Sequence, residues 1–250
     1  MKSVLIIGSG LLGLSLAEKF SNNGYKVFIT STTEDKLLTL QNLGYNAIMF
    51  NSNVAKDYKT FSLLKVDIFV FALAPSKCKV IAYKDVLSNI CNSLNSFNLL
   101  IFTSSISVYL NNNQSHNEES QAFEFTSTIY QTELFIKKQI KHYYIFRLAG
   151  LIDKQRHPKG FHKGLEINQA NASVNLVHIQ DVSNIIYTAI AHKIDTGLYN
   201  VCSPLHPTKK EYYGTFNQNL IYDEGNLGKM VDGSLISNRI NYAYTSIYDF

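Results

Sequence analysis

Val4-Leu5-Ile6-Ile7-Gly8-Ser9-Gly10-Leu11-Leu12-Gly13-Leu14-Ser15-Leu16-Ala17 decides how the rest of the chain is read. Val4 to Ile7 is a short, β-branched apolar run, which favours a buried strand over a helix. Gly8, Gly10 and Gly13 follow at G-x-G-x-x-G spacing, and an amphipathic helix continues through Glu18 and Lys19. Strand, glycine turn and helix together form a dinucleotide site. The first glycine permits the tight turn, the second lets the backbone approach a pyrophosphate, and the third lets the helix pack on the strand. The helix N-terminus presents N–H groups and positive dipole to the phosphates. A secretory signal peptide is the competing reading of such an N-terminus. The glycines interrupt the apolar stretch, and no A-x-A-like cleavage site follows.

Composition agrees with an α/β protein in a reducing compartment. The chain has 250 residues, 46% hydrophobic and 17% charged, enough for a large core. Its net charge of +4 is spread without a basic run, so nucleic acid is not an expected partner. Cys78, Cys91 and Cys202 lie far apart, with neither disulfide nor metal-ligand spacing; a cytoplasmic location and no metal are expected. No apolar run is long enough to span a membrane.

Strands are expected at Lys26–Thr30, Asn46–Phe50, Asp67–Leu73, Asn98–Phe102 and His142–Leu148, alternating with helices at Glu34–Asn42, Val80–Leu94 and Gln121–Lys141, the last with an irregular beginning. This alternation predicts a parallel, doubly wound sheet over 1–150, the Rossmann-type NAD(P)-binding domain. Residues 151–250 are expected to form a small substrate-side lobe that does not fold alone. It should hold a strand at Ser173–Ile179, helices at Asp181–His192 and Thr208–Asn219, and a shorter helix near Ser234–Asn238. Asn111–Ser120 reads as a mobile polar loop.

The second strand ends in Ser31-Thr32-Thr33, with no acid for a ribose 2′-hydroxyl. These hydroxyls and Lys36 suit a 2′-phosphate, so NADP is favoured over NAD. Thr33 is expected to cap the next helix. Ala72-Leu73-Ala74 and Thr103-Ser104 follow two further strands, where such folds border the cofactor.

Phe102-Thr103-Ser104-Ser105-Ile106-Ser107-Val108-Tyr109 resembles the S-S-x-x-V-Y signature of extended short-chain dehydrogenases/reductases, the NAD-dependent epimerase/dehydratase superfamily. Arg147-Leu148-Ala149-Gly150 with Arg156-His157-Pro158, Val177-His178-Ile179-Gln180-Asp181-Val182 and Leu198-Tyr199-Asn200-Val201 are similar to its later motifs, in the same order. Ser203 to Pro207 and Met230-Val231-Asp232-Gly233-Ser234 resemble an atypical branch of it. The resemblance implies an NAD(P)-dependent oxidoreductase or epimerase-like protein acting on a small hydroxylated or nucleotide-linked molecule. It also implies a homodimer built on two long helices.

The resemblance places Ser105 as the substrate-orienting serine. The nearby tyrosine is Tyr130, but Leu134, not lysine, stands four residues on; keyed on Glu133 instead, Thr128 takes the tyrosine's place. An unperturbed Tyr is phenolate in only about one molecule in a thousand at pH 7. Lys137 is about 10 Å along the helix from Tyr130, too far to correct that in solvent. Tyr130 is therefore either the base or an aromatic packed on the sheet, and packing is the preferred reading. Arg156 is the candidate anion ligand, and His157 and His178 are candidate acid–base groups for which a structural role is the preferred reading. Arg147 reads as a paired structural residue and Asp181 as a helix cap. A dinucleotide-binding sensor without turnover is the alternative function.

Overall fold

The computed structural model describes residues 1–161 and 164–250. In chain order its elements are β1 (Ser3–Ile7), α1 (Leu11–Asn22), β2 (Lys26–Ser31), α2 (Glu34–Asn42), β3 (Asn46–Met49), β4 (Lys65–Phe71), α3 (Tyr83–Ser93) and β5 (Ser96–Ser105). There follow β6 (Ser115–His116), α4 (Thr128–Gln139), β7 (Tyr143–Leu148), β8 (Gly150–Ile152), β9 (Glu166–Ile167), β10 (Leu176–His178), α5 (Ile179–Ala191) and β11 (Gly197–Val201). α6 (Lys209–Gly214), β12 (Ile221–Tyr222), β13 (Met230–Val231) and α7 (Ser234–Ile240) complete the described chain.

The central sheet has seven strands in the order β11-β7-β5-β4-β1-β2-β3. β1 runs parallel to β2 on one side, Val4 beside Val27, and to β4 on the other, Val4 beside Ile68. The chain winds outward to β3 and then crosses back to β4. That reversal makes the carboxyl ends of β1 and β4 a topological switch point, where open α/β sheets hold ligands. The apolar runs read as strands are buried from both faces: Val4 to Ile7 and Phe69 to Phe71 are each essentially inaccessible.

Two compact units divide the chain. The first comprises Met1–Ser104, Phe125–Phe146 and Asp195–Gly197. Its core is aromatic, with Phe71 stacked on Phe102 and Tyr83 tilted against both. The second comprises Ser105–Glu124, Arg147–Ile194 and Leu198–Phe250. It has cores of its own, one of Ile152, Val174, Leu176, Tyr212 and Ile247 and another of Ile167, Ala170 and Leu220. Three short parallel pairs knit it together: β8 with β10, β9 with β12, and β6 with β13.

Several expected elements move. The helix expected from Gln121 starts at Thr128, where Ser127 accepts the Tyr130 N–H at 3.4 Å. Phe123, inside the expected helix, forms an antiparallel bridge with Tyr109 instead. The helix expected from Val80 starts at Tyr83, because Asn53 Oδ1 takes the Lys79 and Val80 N–H groups at 2.7 and 2.9 Å. The helix expected over Thr208–Asn219 is only Lys209–Gly214, opened by a reciprocal Thr208–Glu211 capping box. The segment read as a mobile loop contains β6 and is tied down by main-chain pairing to β13. Thr33 occupies the N-cap position of α2, but its side chain accepts no capping hydrogen bond.

Candidate functional site

In the first unit the sequence-predicted cofactor residues gather at the switch point. Gly8 has φ +107°, a left-handed region that an L side chain rarely adopts. Its N–H donates to Thr30 Oγ1 at 2.9 Å, so the end of β2 fixes the turn that leaves β1. A Cβ on Gly8 would come within 2.9 Å of the Ala72 carbonyl oxygen, and one on Gly13 would overlap the Gly8 carbonyl oxygen outright. Gly10 differs: a Cβ there meets no protein atom within 4 Å, and its φ of −72° is open to any residue. Gly8 and Gly13 are therefore required by the fold, and Gly10 is not. The absent side chain at Gly10 leaves room for something other than protein. α1 begins at Leu11 and Leu12 with no side chain capping it and no acid in its first turn. Its leading N–H groups and dipole are left for an anion.

The rest of this rim combines Ala72, Leu73 and Ala74 with hydroxyl side chains. Ala72 and Leu73 are half-buried and Ala74 exposed; the Tyr83 hydroxyl donates to the Leu73 carbonyl at 2.7 Å and holds that segment. Thr103 Oγ1 donates to the Phe71 carbonyl at 3.1 Å, linking the ends of β4 and β5. At the tip of β2 the Ser31 hydroxyl turns inward, accepting the Thr33 N–H at 3.3 Å and facing the Thr33 carbonyl at 3.2 Å. Thr32 and Thr33 are exposed and Lys36 half-buried beside them.

Ser104 has a partner that sequence reasoning missed. Its hydroxyl donates to Glu133 Oε1 at 2.5 Å, and Glu133 is fully buried on α4. The signal was present: Tyr130, Glu133 and Ile136 share one helical face, and a carboxylate on an apolar face needs a donor. Tyr130, on that face, is 8% exposed with its ring edge-on to Phe125. Leu134, in the lysine's position, is 41% exposed.

In the second unit Ser105 is half-buried, and its Oγ accepts the Ser107 N–H at 3.1 Å. Arg156 is exposed, its Nε donating to the Leu151 carbonyl at 2.8 Å and its guanidinium over the Phe161 ring. His157 Nδ1 accepts the Lys159 N–H at 3.2 Å, while the ring lies 4.3 Å from that of Phe250. His178 is buried with Nε2 2.8 Å from the Ser246 carbonyl, which fixes a proton on that nitrogen. Its ring also meets Phe250, so the structure brings His157 and His178 to one aromatic side chain.

Asp181 departs from its sequence reading, whereas Arg147 is the paired structural residue that the sequence suggests. Asp181 lies in the first turn of α5 but caps nothing there. Its carboxylate takes the Tyr242 hydroxyl and the Thr245 N–H and hydroxyl at 2.8–2.9 Å, pinning the C-terminal segment. Arg147 is fully buried, with its guanidinium 4.7 and 4.9 Å from the Tyr109 and Phe123 ring centres. Tyr109 in turn reaches Asn200 Oδ1 at 3.0 Å, and Glu118 Oε1 accepts the Asn200 N–H at 2.8 Å. Burial pushes the Glu118 carboxyl above its usual range.

Protein-family models match no part of the chain. The Escherichia coli K12 protein YeeZ is 27% identical over 98% of this chain and 96% of its own. The chain is similar to YeeZ from end to end. Its fold is that of NAD-dependent epimerases and dehydratases. Human epimerase family protein SDR39U1, solved with NADPH, superposes with a TM-score of 0.72 at 13% identity, over 97% of this chain and 95% of that one. UDP-glucose 4-epimerase from Bifidobacterium longum, solved with NAD+ and UDP, gives 0.72 at 15% identity over 98% and 95%. Both the YeeZ match and these superpositions run the length of the chain, as does the series of motifs that begins at Gly8.

Proposed function

We propose that this YeeZ-like chain binds NAD(P) at the glycine turn and works as an oxidoreductase or epimerase-like protein on a small hydroxylated or nucleotide-linked substrate. One observation carries the proposal. Of three glycines at motif spacing, two are filled by the protein's own packing, and Gly10 alone opens on empty space at an uncapped helix start. A pyrophosphate fits there: the Leu11 and Leu12 N–H groups donate to it and the missing Cβ lets it approach. Bound in that place, a nicotinamide would supply hydride exchange. Neighbours of the same fold solved with NAD+ or NADPH support the cofactor class.

The chain's own residues take the remaining roles. Thr32, Thr33 and Lys36 meet the adenosine ribose, and with no acid at the strand tip they favour NADP over NAD. Ala72, Leu73 and Ala74 flank the cofactor, and Thr103 and Ser104 border it, Thr103 tying the ends of β4 and β5 and Ser104 tying β5 to α4. Ser105 orients a substrate hydroxyl, and Arg156, His157 and His178 belong to the substrate side, Arg156 as the anion ligand. Residues 151–250 serve as the substrate lobe, and the protein works in the cytoplasm, as a homodimer. A second reading, an NAD(P)-binding sensor without turnover, is favoured by one feature: Tyr130 is buried against Phe125, with Leu134 where the activating lysine would stand.

Calorimetric titration with NADPH and then NADH tests the proposal, since the absence of Trp removes the usual energy-transfer readout. Tight NADPH and weaker NADH binding is the expected result. Binding of neither overturns the site; preference for NADH overturns the roles given to Thr32, Thr33 and Lys36.

A further inference from the structure

The second unit contains a cavity of about 680 Å³, within the range of small-molecule sites. The loop after β11, β13, α7 and the segment Tyr242–Tyr244 line it. Its chemistry is one-sided. Among the described residues, Asp232 is the one carboxylate in the lining, and no lysine or arginine takes part. The basic residues flanking it in sequence are engaged elsewhere: Lys229 Nζ donates to the Tyr109 carbonyl, and the Arg239 guanidinium binds the Tyr199 hydroxyl at 3.0 Å. His206, also in the lining, has Nδ1 3.2 Å from the Val174 carbonyl, so Nδ1 carries the proton and Nε2 is an acceptor. Burial holds this imidazole below its usual pKa, so it is neutral near pH 7. The Cys202 thiol, pushed up to about 12 by burial, is neutral as well. The cavity is thus negative in a chain whose net charge is +4.

That sign disfavours phosphates and carboxylates, the groups the glycine turn would attract. The wall supplies what a cation prefers: the Tyr242 and Tyr244 rings meet edge-to-face at 5.7 Å, with the Met230 thioether also in the lining. Asp232 has one oxygen committed, Oδ1 accepting the Ser234 N–H at 2.8 Å, and among the described residues none donates a hydrogen bond to Oδ2. We propose that this cavity binds a small organic ammonium ion, with Asp232 as its counter-ion and the tyrosine pair as its aromatic wall. The site is independent of the glycine turn and can exist whether or not the chain binds a dinucleotide.

The test uses three probes of matched shape: tryptamine (cationic), tryptophol (neutral) and indole-3-acetate (anionic). The chain has no Trp, so indole fluorescence anisotropy reports the probe alone. Tryptamine is expected to saturate, tryptophol to bind about tenfold more weakly or worse, and indole-3-acetate not to bind at millimolar concentration. D232N keeps Oδ1 for the Ser234 N–H, so it should fold normally and bring tryptamine down to the level of tryptophol. A243F, at an exposed lining position, should block the cavity without touching a core. No tryptamine binding, equal binding of indole-3-acetate, or unchanged tryptamine affinity in either variant overturns the proposal.

Discussion

Replacing Gly10 separates a ligand-made requirement from a fold-made one. Gly10→Val adds three carbon atoms where the first, Cβ, meets no protein atom within 4 Å, and φ of −72° strains neither valine nor alanine. The position is an N-cap whose backbone, not its side chain, does the work, so the stability cost should be about 1 kcal/mol or less. The added methyls occupy the ground over the Leu11 and Leu12 N–H groups. Losing one or two charge-assisted hydrogen bonds of about 1.5–3 kcal/mol each weakens NADPH by roughly a hundredfold or more. Gly13→Ala is the contrast, because its Cβ would overlap the Gly8 carbonyl oxygen and must push α1 off β1. The pair is read by calorimetry with NADPH and by thermal denaturation. G10V should keep the wild-type midpoint within a few degrees and lose binding, whereas G13A should lose the midpoint first. G10V binding NADPH as tightly as the wild type would refute the argument. So would G10V failing to fold, since the space beside Gly10 would then belong to the protein.

Other consequences are as direct. Thr32→Asp places an acid at the tip of β2, so calorimetry should show NADPH weakened and NADH strengthened; an unchanged ratio would remove that residue from the cofactor's ribose end. Ser104→Ala removes the donor to the buried Glu133 carboxylate, a loss of about 1–3 kcal/mol read as a lower thermal midpoint; an unaltered midpoint would show the pair contributes nothing. Ser105→Ala should lower any detected turnover while NADPH binding is kept, and full activity would strike the serine from the mechanism. Burial lowers the pKa of His116 and His206 below the ordinary 6.5. The unfolded chain then binds more protons than the folded one below about pH 6.5, so folding stability should fall as pH drops from 7.5 to 5.5. His206→Gln should shrink that fall in urea unfolding, and an identical pH dependence would exclude this imidazole as a contributor.

What the sequence disclosed depended on how local the cause was. β1, β4 and α2 were readable because their signals lie within them: β-branched runs buried from both faces, and a helix closed by Gly44 at φ +85°. The Gly8-Gly10-Gly13 spacing was readable for the same reason. β6 was not. Ser115 and His116 are polar, and they become a strand only because Met230 and Val231 arrive beside them from far along the chain. The irregular beginning of the helix over Gln121–Lys141 was legible but its true start was not, because Phe123 looks like a helical apolar residue, yet it bridges Tyr109 and lies under the Arg147 guanidinium. The roles of Asp181 and His178 were equally hidden, since Thr245 and Ser246 claim their polar atoms from more than sixty residues away.

The three glycines also show why a motif and a function are different statements. Spacing alone gives Gly8, Gly10 and Gly13 equal weight. Packing does not: the Ala72 carbonyl and the β1–α1 contact account for two of them without any ligand. A chain that had abandoned its cofactor could keep Gly8 and Gly13 for folding and would be free to fill the position of Gly10. The same logic applies on α4, where Leu134 stands in the place of the lysine while Glu133, one residue earlier, is held fully buried on Ser104. Selection for folding explains Glu133, and nothing in the packing demands a glycine at position 10. The open glycine is therefore the evidence for binding, and the exposed leucine is the evidence that any proton transfer relies on a group other than a lysine-activated tyrosine on this helix.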